Sequence, residues 1–142
     1  MQVRDYMTKN VLTIGKGEPI RSAWLMMEKH NIRHLPVVEE HKLVGIVSEK
    51  DLYKALPSIT EIKDTKKLAN TLDTVKVENV MTQKVKVVTP EMLIRQAANL
   101  FIENKLGCFP VVSGGKLVGI LTTTDLLRYI VKERPPEKDT IG

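Results

Sequence analysis

The chain of 142 residues contains one cysteine, Cys108. An intrachain disulfide and any zinc site built from several thiolates are therefore excluded. His30, His34 and His41 show no spacing of metal ligands. Aromatic residues make up only 4% of the chain. The interior is therefore mainly aliphatic, and there is little from which to build a stacking platform for single-stranded nucleic acid. No apolar run approaches the ~20 residues needed to span a bilayer. The opening Met1-Gln2-Val3-Arg4-Asp5-Tyr6 lacks the basic and apolar regions of a signal peptide, so a cytoplasmic protein with no membrane association is expected. Phosphate-cradling Walker loops, nucleophile elbows and paired metal ligands are missing too. No enzyme is expected from such a sequence.

What the chain does contain is a repeat. Lys42-Leu43-Val44-Gly45-Ile46-Val47-Ser48-Glu49-Lys50-Asp51-Leu52 returns 74 residues later (125 − 51) as Lys116-Leu117-Val118-Gly119-Ile120-Leu121-Thr122-Thr123-Thr124-Asp125-Leu126. At that offset Val3 to Leu56 aligns with Val77 to Ile130 without a gap, and 17 of the 54 pairs are identical. Unrelated segments of ordinary composition would match at roughly three positions. The protein is an internal duplication. Each copy alone has only ~55 residues, near the lower limit of independent stability, so the halves are expected to pack together.

Leu43, Val44, Ile46 and Val47 form an apolar run suited to a buried strand. Gly45 and Gly119 interrupt it in both copies, as glycines do at a bulge or where another group comes close to the backbone. Ser48 and Thr122 follow, each three residues before an aspartate, Asp51 or Asp125. Such hydroxyls commonly cap a helix. A strand running into a helix N-terminus is also a good phosphate and ribose site, and the two roles are compatible. Ile20, Ala23, Trp24 and Met27 trace one helix face, as do Ile94, Ala97, Ala98 and Phe101. Trp24 belongs to this stripe and is assigned no chemistry. Leu25, Met26, Leu100 and Ile102 widen the stripes enough to suggest a second apolar contact, between copies of the chain.

In order, the chain reads as a short helical entry over residues 3–8, a brief strand at Val11 to Ile14, and a helix that starts near Pro19 and ends near His30-Asn31. A hairpin of Leu35 to Val38 and Leu43 to Ser48 and a short helix from Lys50 to Leu56 complete the first copy. The second has a hairpin of Phe109 to Val112 and Leu117 to Thr122, with Ser113-Gly114-Gly115 at its turn. The expected fold is α+β, with two β-α-β-β-α repeats at residues 1–56 and 77–131. The linker, 57–76, holds a short helix from Asp64 to Leu72. Lys63, Lys66 and Lys67 form its basic patch, read as a solvated face. Residues 132–142 are expected to form a flexible tail.

Together these features resemble the cystathionine β-synthase (CBS) domain, in the tandem arrangement called a Bateman module. The resemblance is carried by Val3 to Thr8, Ile20 to Met27, Ile32 to Val38 and Leu43 to Leu52, and by Val77 to Thr82, Ile94 to Phe101, Leu106 to Val112 and Leu117 to Leu126. It implies two repeats packed through their sheets with pseudo-twofold symmetry, usually dimerised into a disc through helices. It also implies a regulatory role. Clefts between the repeats bind AMP, ADP, ATP or S-adenosylmethionine, and the occupied module modulates a partner protein.

The resemblance assigns ribose and phosphate contacts to Ser48 with Asp51 and to Thr122 with Asp125. A carboxylate suits a diol because each of its oxygens can accept a hydrogen bond. Arg33 and His34 add charge-assisted donors for phosphate in the first cleft. Val87, Leu106, Gly107 and Cys108 would face the adenine there, with Ile46 and Ile120 lining the clefts. The second cleft would set Thr13 and Ile32 opposite Thr122 without a basic pair of its own. The Asp51 cleft is thus the preferred nucleotide site. As alternatives, Arg33 reads as a surface ion pair and Cys108 as a small buried filler. No catalytic cofactor is expected, and the regulated partner is unidentified. A net charge of +5 leaves a competing class open, a nucleic-acid-binding or scaffolding module with no small ligand.

Overall fold

The computed structural model describes residues 1–58 and 64–133. Its elements are α1 (Val3–Tyr6), β1 (Ile14–Gly15), α2 (Ile20–His30), β2 (His34–Glu39), β3 (Lys42–Ser48), α3 (Glu49–Ala55), α4 (Thr65–Thr74), α5 (Ile94–Asn104), β4 (Cys108–Ser113), β5 (Lys116–Thr122) and α6 (Thr123–Glu133). A single 3-10 turn, Val77–Asn79, precedes the second repeat. The mixed α+β reading holds. In the second repeat the opening strand shrinks to one parallel bridge, Val88 with Val111. The last helix runs through Lys132 and Glu133, two residues into the stretch expected to be tail. Lys63 and residues 134–142 lie outside the described residues.

The chain forms two compact units that cut across the sequence repeats. One comprises Leu12–Val85 and the other Met1–Val11 with the segment from Lys86 onward. Each repeat's opening segment therefore folds with the other repeat's hairpin.

In the Leu12–Val85 unit, β1 runs parallel to β2 and β2 antiparallel to β3, with a register shift between Val37 and Val38. The strand faces bury Leu35, Val37 and Val47 against Ile20, Ala23 and Met27 of α2, Leu52 of α3 and Val77. Helix α2 stops at Asn31, which adopts the left-handed conformation (φ 53°) that asparagine tolerates better than most residues. Residue 82 supplies one more partner at the free edge of β3, where the Thr82 N–H donates to the Ile46 carbonyl at 2.8 Å and the Ile46 N–H donates back at 3.0 Å. Helix α4 is capped by Asp64, whose carboxylate accepts from the backbone N–H groups of Lys66 and Lys67. Leu68 and Leu72 of α4 share a recess of about 230 Å³ with Arg21, Trp24, Leu25 and Leu56. Arg21 also pairs with Asp73, and Trp24 packs edge-on against Tyr53.

The other unit repeats the plan. Hairpin β4–β5 buries Phe109, Val111 and Leu121 against Ile94, Ala97 and Phe101 of α5, and Val3 takes the place that Val77 fills in the first unit. Here Thr8 is the edge partner, exchanging backbone hydrogen bonds with Ile120 at 2.9 and 3.0 Å. Gly45 and Gly119 adjoin the register shift of their hairpins and also mark a close approach. A Cβ on Gly45 would lie 2.6 Å from Met81 Sδ, and one on Gly119 the same distance from Met7 Sδ. Of the residues that widen the helix stripes, Met26 and Leu100 pack onto their own cores. Leu25 and Ile102 stay exposed, as do Leu127, Ile130 and Val131 on α6.

Candidate functional site

Each unit places its candidate residues where a hairpin strand runs into a helix. Ser48 ends β3 in an extended conformation and begins α3 as its N-cap. Its Oγ accepts from the Asp51 N–H at 3.1 Å, and Asp51 Oδ2 accepts from the Ser48 N–H at 2.9 Å. This is a reciprocal capping box with aspartate in the position more often held by Glu or Gln. The capping role expected for Ser48 thus extends to Asp51. Across the ladder His34 pairs with Ser48, and the Arg33 carbonyl accepts from the Glu49 N–H at 3.0 Å. Arg33, His34, Ser48 and Asp51 are thereby gathered at one helix N-terminus, where free N–H groups and the helix dipole favour an anion.

The electrostatics of this junction are uneven. Burial lowers the His34 pKa below its ordinary value, opposed by the Asp51 carboxylate, reinforced by Arg33 and opposed again by Glu49. The imidazole is neutral at neutral pH. Arg33 is exposed, and among the described residues its guanidinium has no ion-pair partner. Asp51 is half-buried. Its Oδ2 serves the cap, and among the described residues no donor reaches its Oδ1. Ile46 lies two residues before Ser48 on the same strand face. Thr13 stands one residue before Ile14, the partner of Val37, and Ile32 packs on the core.

The second junction is built alike but closed. Asp125 Oδ2 accepts from the Thr122 N–H at 2.8 Å and from the Thr122 hydroxyl at 3.1 Å, and Thr122 Oγ1 lies 3.3 Å from the Asp125 N–H. The other carboxylate oxygen is taken as well, by Arg128 NH1 at 2.9 Å. Asp125 is only 2% exposed. Cys108 faces Thr122 across the ladder, and the Gly107 carbonyl accepts from the Thr123 N–H at 3.3 Å. Burial and the Asp125 charge push the Cys108 thiol up to about 12. Ile120 is buried, whereas Val87 and Leu106 remain 42% exposed.

The residue at these junctions that sequence reasoning missed is Arg128. Its only signal was the i, i+3 spacing from Asp125. Lys54 has the same spacing from Asp51, but no contact links Lys54 to that carboxylate among the described residues. No helix among the described residues is long and apolar enough to cross a membrane.

Comparison with known proteins follows the duplication. Two curated relatives come from Methanocaldococcus jannaschii. Uncharacterized protein MJ0188 is 31% identical over 97% of this chain, which spans about half of that protein (47%). Uncharacterized protein MJ1426 is 33% identical over 92% of both chains. Among solved structures, CBSX2 in complex with AMP is similar with a TM-score of 0.78 at 29% identity, covering 94% of this chain and 98% of that one. The CBS domain pair of protein MJ0100, in complex with 5'-methylthioadenosine and S-adenosyl-L-methionine, gives 0.76 at 28% identity, with the same coverage of 94% and 98%. The family model described as the CBS domain matches residues 3–58 and again 77–132, and with both repeats accounted for the chain belongs to the CBS-domain family.

Proposed function

We propose that this protein is a non-catalytic, cytoplasmic regulatory module that binds an adenosine-containing ligand at the Ser48–Asp51 junction and passes its occupancy to a partner protein. One observation carries this reading. Among the described residues Asp51 keeps a carboxylate oxygen open at the helix start that Arg33 adjoins, and Arg33 has no ion-pair partner, whereas Asp125 has both oxygens engaged. The open oxygen suits a ribose hydroxyl, which needs an acceptor. Arg33, together with the N-terminus of α3, suits the phosphate or other anionic part of the ligand. His34 joins them as a donor once protonated. The complexes of similar CBS pairs with AMP, 5'-methylthioadenosine and S-adenosyl-L-methionine support the ligand class.

We further propose that the chain works as a homodimer, with the exposed apolar residues of its helices as the contact. Leu25, Ile102, Leu127, Ile130 and Val131 supply the apolar surface for it. Light scattering at micromolar concentration is expected to give twice the chain mass, and a monomer would remove this part of the proposal.

The test of the ligand reading is a thermal-shift and calorimetric screen of the whole chain against AMP, ADP, ATP, S-adenosylmethionine, NAD and a short RNA at fixed salt. A ligand at 100 times its dissociation constant adds about 2.7 kcal/mol of stability. Stabilisation by an adenosine compound, lost in Asp51→Ala, is the expected outcome. Silence from every nucleotide together with salt-sensitive RNA binding would replace the sensor by a nucleic-acid-binding module.

A further inference from the structure

Two of the six methionines hold positions unlike the rest. Met81 lies so close to the backbone of Gly45 that a Cβ there would come 2.6 Å from its Sδ and 2.9 Å from the Thr82 carbonyl oxygen. Met7 lies on Gly119 in the same way, at 2.6 Å from Sδ and 3.0 Å from the Thr8 carbonyl oxygen. Gly15, Gly17, Gly114 and Gly115 have no methionine within contact of such a Cβ. Immediately after each methionine comes the residue that ties the segment to the hairpin edge, Thr82 to Ile46 and Thr8 to Ile120. Both methionines are half-buried, while Met27 is buried in the core and Met1 is largely exposed.

A thioether is soft, unbranched and apolar, and so can lie flat on a glycine backbone. A sulfoxide is polar and carries an additional oxygen on the same sulfur. A half-buried sulfur takes that oxygen on its exposed side, and the larger, polar group no longer lies flat on the backbone of Gly45 or Gly119.

We propose that Met7 and Met81 are paired oxidation sites, and that their conversion to sulfoxide by a hydroperoxide unseats residues 3–8 and 77–82 from the hairpins they edge. In the reaction the sulfur lone pair takes the terminal peroxide oxygen. An S–O bond forms and the O–O bond breaks, the sulfur is oxidised by two electrons, and the hydroperoxide leaves as its alcohol, or as water from hydrogen peroxide, carrying the displaced proton. Methionine sulfoxide reductase reverses the change, a dithiol supplying the two electrons and becoming a disulfide while the oxygen leaves as water. Ile46 and Ile120 each stand two residues before a capping residue, Ser48 or Thr122, so release of the edge segment reaches the helix N-termini as well. This inference does not depend on which ligand, if any, the protein binds.

The experiment is a hydrogen peroxide titration of the full chain, followed by peptide mass mapping and thermal unfolding. Sulfoxide at Met7 and Met81 is expected to lower Tm by about 5 °C or more, and reductase treatment to restore it. A Met7→Leu, Met81→Leu variant, in which leucine keeps volume and apolarity, should hold its Tm at the same dose. A companion Met1→Leu, Met26→Leu, Met92→Leu variant keeps both seats and should lose Tm as the wild type does, which also covers the case of the first variant failing to fold. Equal losses with and without the two seats would overturn the proposal. So would Met7 and Met81 staying reduced at a dose that oxidises Met1, or an unshifted companion variant carrying both sulfoxides.

Discussion

Arg128 closes Asp125 with a 2.9 Å hydrogen bond to the carboxylate oxygen that Thr122 does not use, while the matching oxygen of Asp51 has no donor among the described residues. One duplicated motif has thus become a structural junction and an open one. Asp51→Ala is expected to weaken adenine-nucleotide binding by about 1 to 3 kcal/mol, roughly 5- to 150-fold. Asp125→Ala should leave that binding within about 2-fold, yet lower Tm more than Asp51→Ala, because it strips a buried network. Calorimetry and thermal unfolding of the two variants check both halves of the statement, and equal affinity losses would contradict it.

Opening the closed junction should be possible. Arg128→Ala frees Asp125 Oδ1 and is expected to raise the number of adenine-nucleotide sites titrated per chain, by calorimetry, from one to two. An unchanged stoichiometry would mean that Arg128 is not what keeps the second junction empty.

The His34 pKa is lowered in the folded protein by burial. Between that lowered value and the unfolded value of about 6.5 the unfolded chain binds more protons, so this group makes stability rise with pH and fall on acidification below about 6.5. A phosphate beside His34 favours the charged imidazole. Binding of a phosphate-bearing ligand should therefore tighten below about pH 6.5 in the wild type relative to His34→Gln, a comparison that cancels the ligand's own titration. Parallel pH profiles for the two proteins would rule His34 out as a phosphate contact.

Cys108 is expected to resist alkylation in the native protein. With its pKa pushed from 9.0 to about 12, the thiolate fraction at pH 8 falls by roughly three orders of magnitude. Iodoacetamide labelling followed by mass spectrometry should be slow in the folded chain and ordinary in urea. Rapid native labelling would place the thiol in a more open setting than its burial indicates.

Gly45→Ala should destabilise the protein by about 1 to 3 kcal/mol, the range for overpacking, because the methyl group meets the Thr82 carbonyl at 2.9 Å as well as the movable Met81. Gly17→Ala, where nothing lies within 4 Å, is the matched control in chemical denaturation.

Much of this was legible in the residues. The hairpins, helices α2 and α5 and the capping hydroxyls follow from strict repetition of Pro-Val-Val and Leu-Val-Gly-Ile together with apolar periods that only one element type can satisfy. The close approach at Gly45 and Gly119 was one of two readings their strand setting allowed. What could not be read was which hairpin each opening segment joins. Val3 and Val77, Met7 and Met81, Thr8 and Thr82 are identical pairs, so a symmetric pattern supports either pairing. The closure of Asp125 escaped for a related reason. Lys54 and Arg128 are both cations three residues past an aspartate, and only the side-chain geometry distinguishes the one that reaches back.

The exchange of opening segments bears on how the chain emerges from the ribosome. A chain synthesised up to Val85 already holds every residue of one unit, from Leu12 onward, while Met1–Val11 has no hairpin to dock on until β5 has been made. The first eleven residues must therefore wait through more than a hundred codons, a long-range closure of the kind that slows folding. Cutting the gene at the linker would give two fragments, each carrying the edge segment that the other needs, and mixing them should recover more structure than either holds alone.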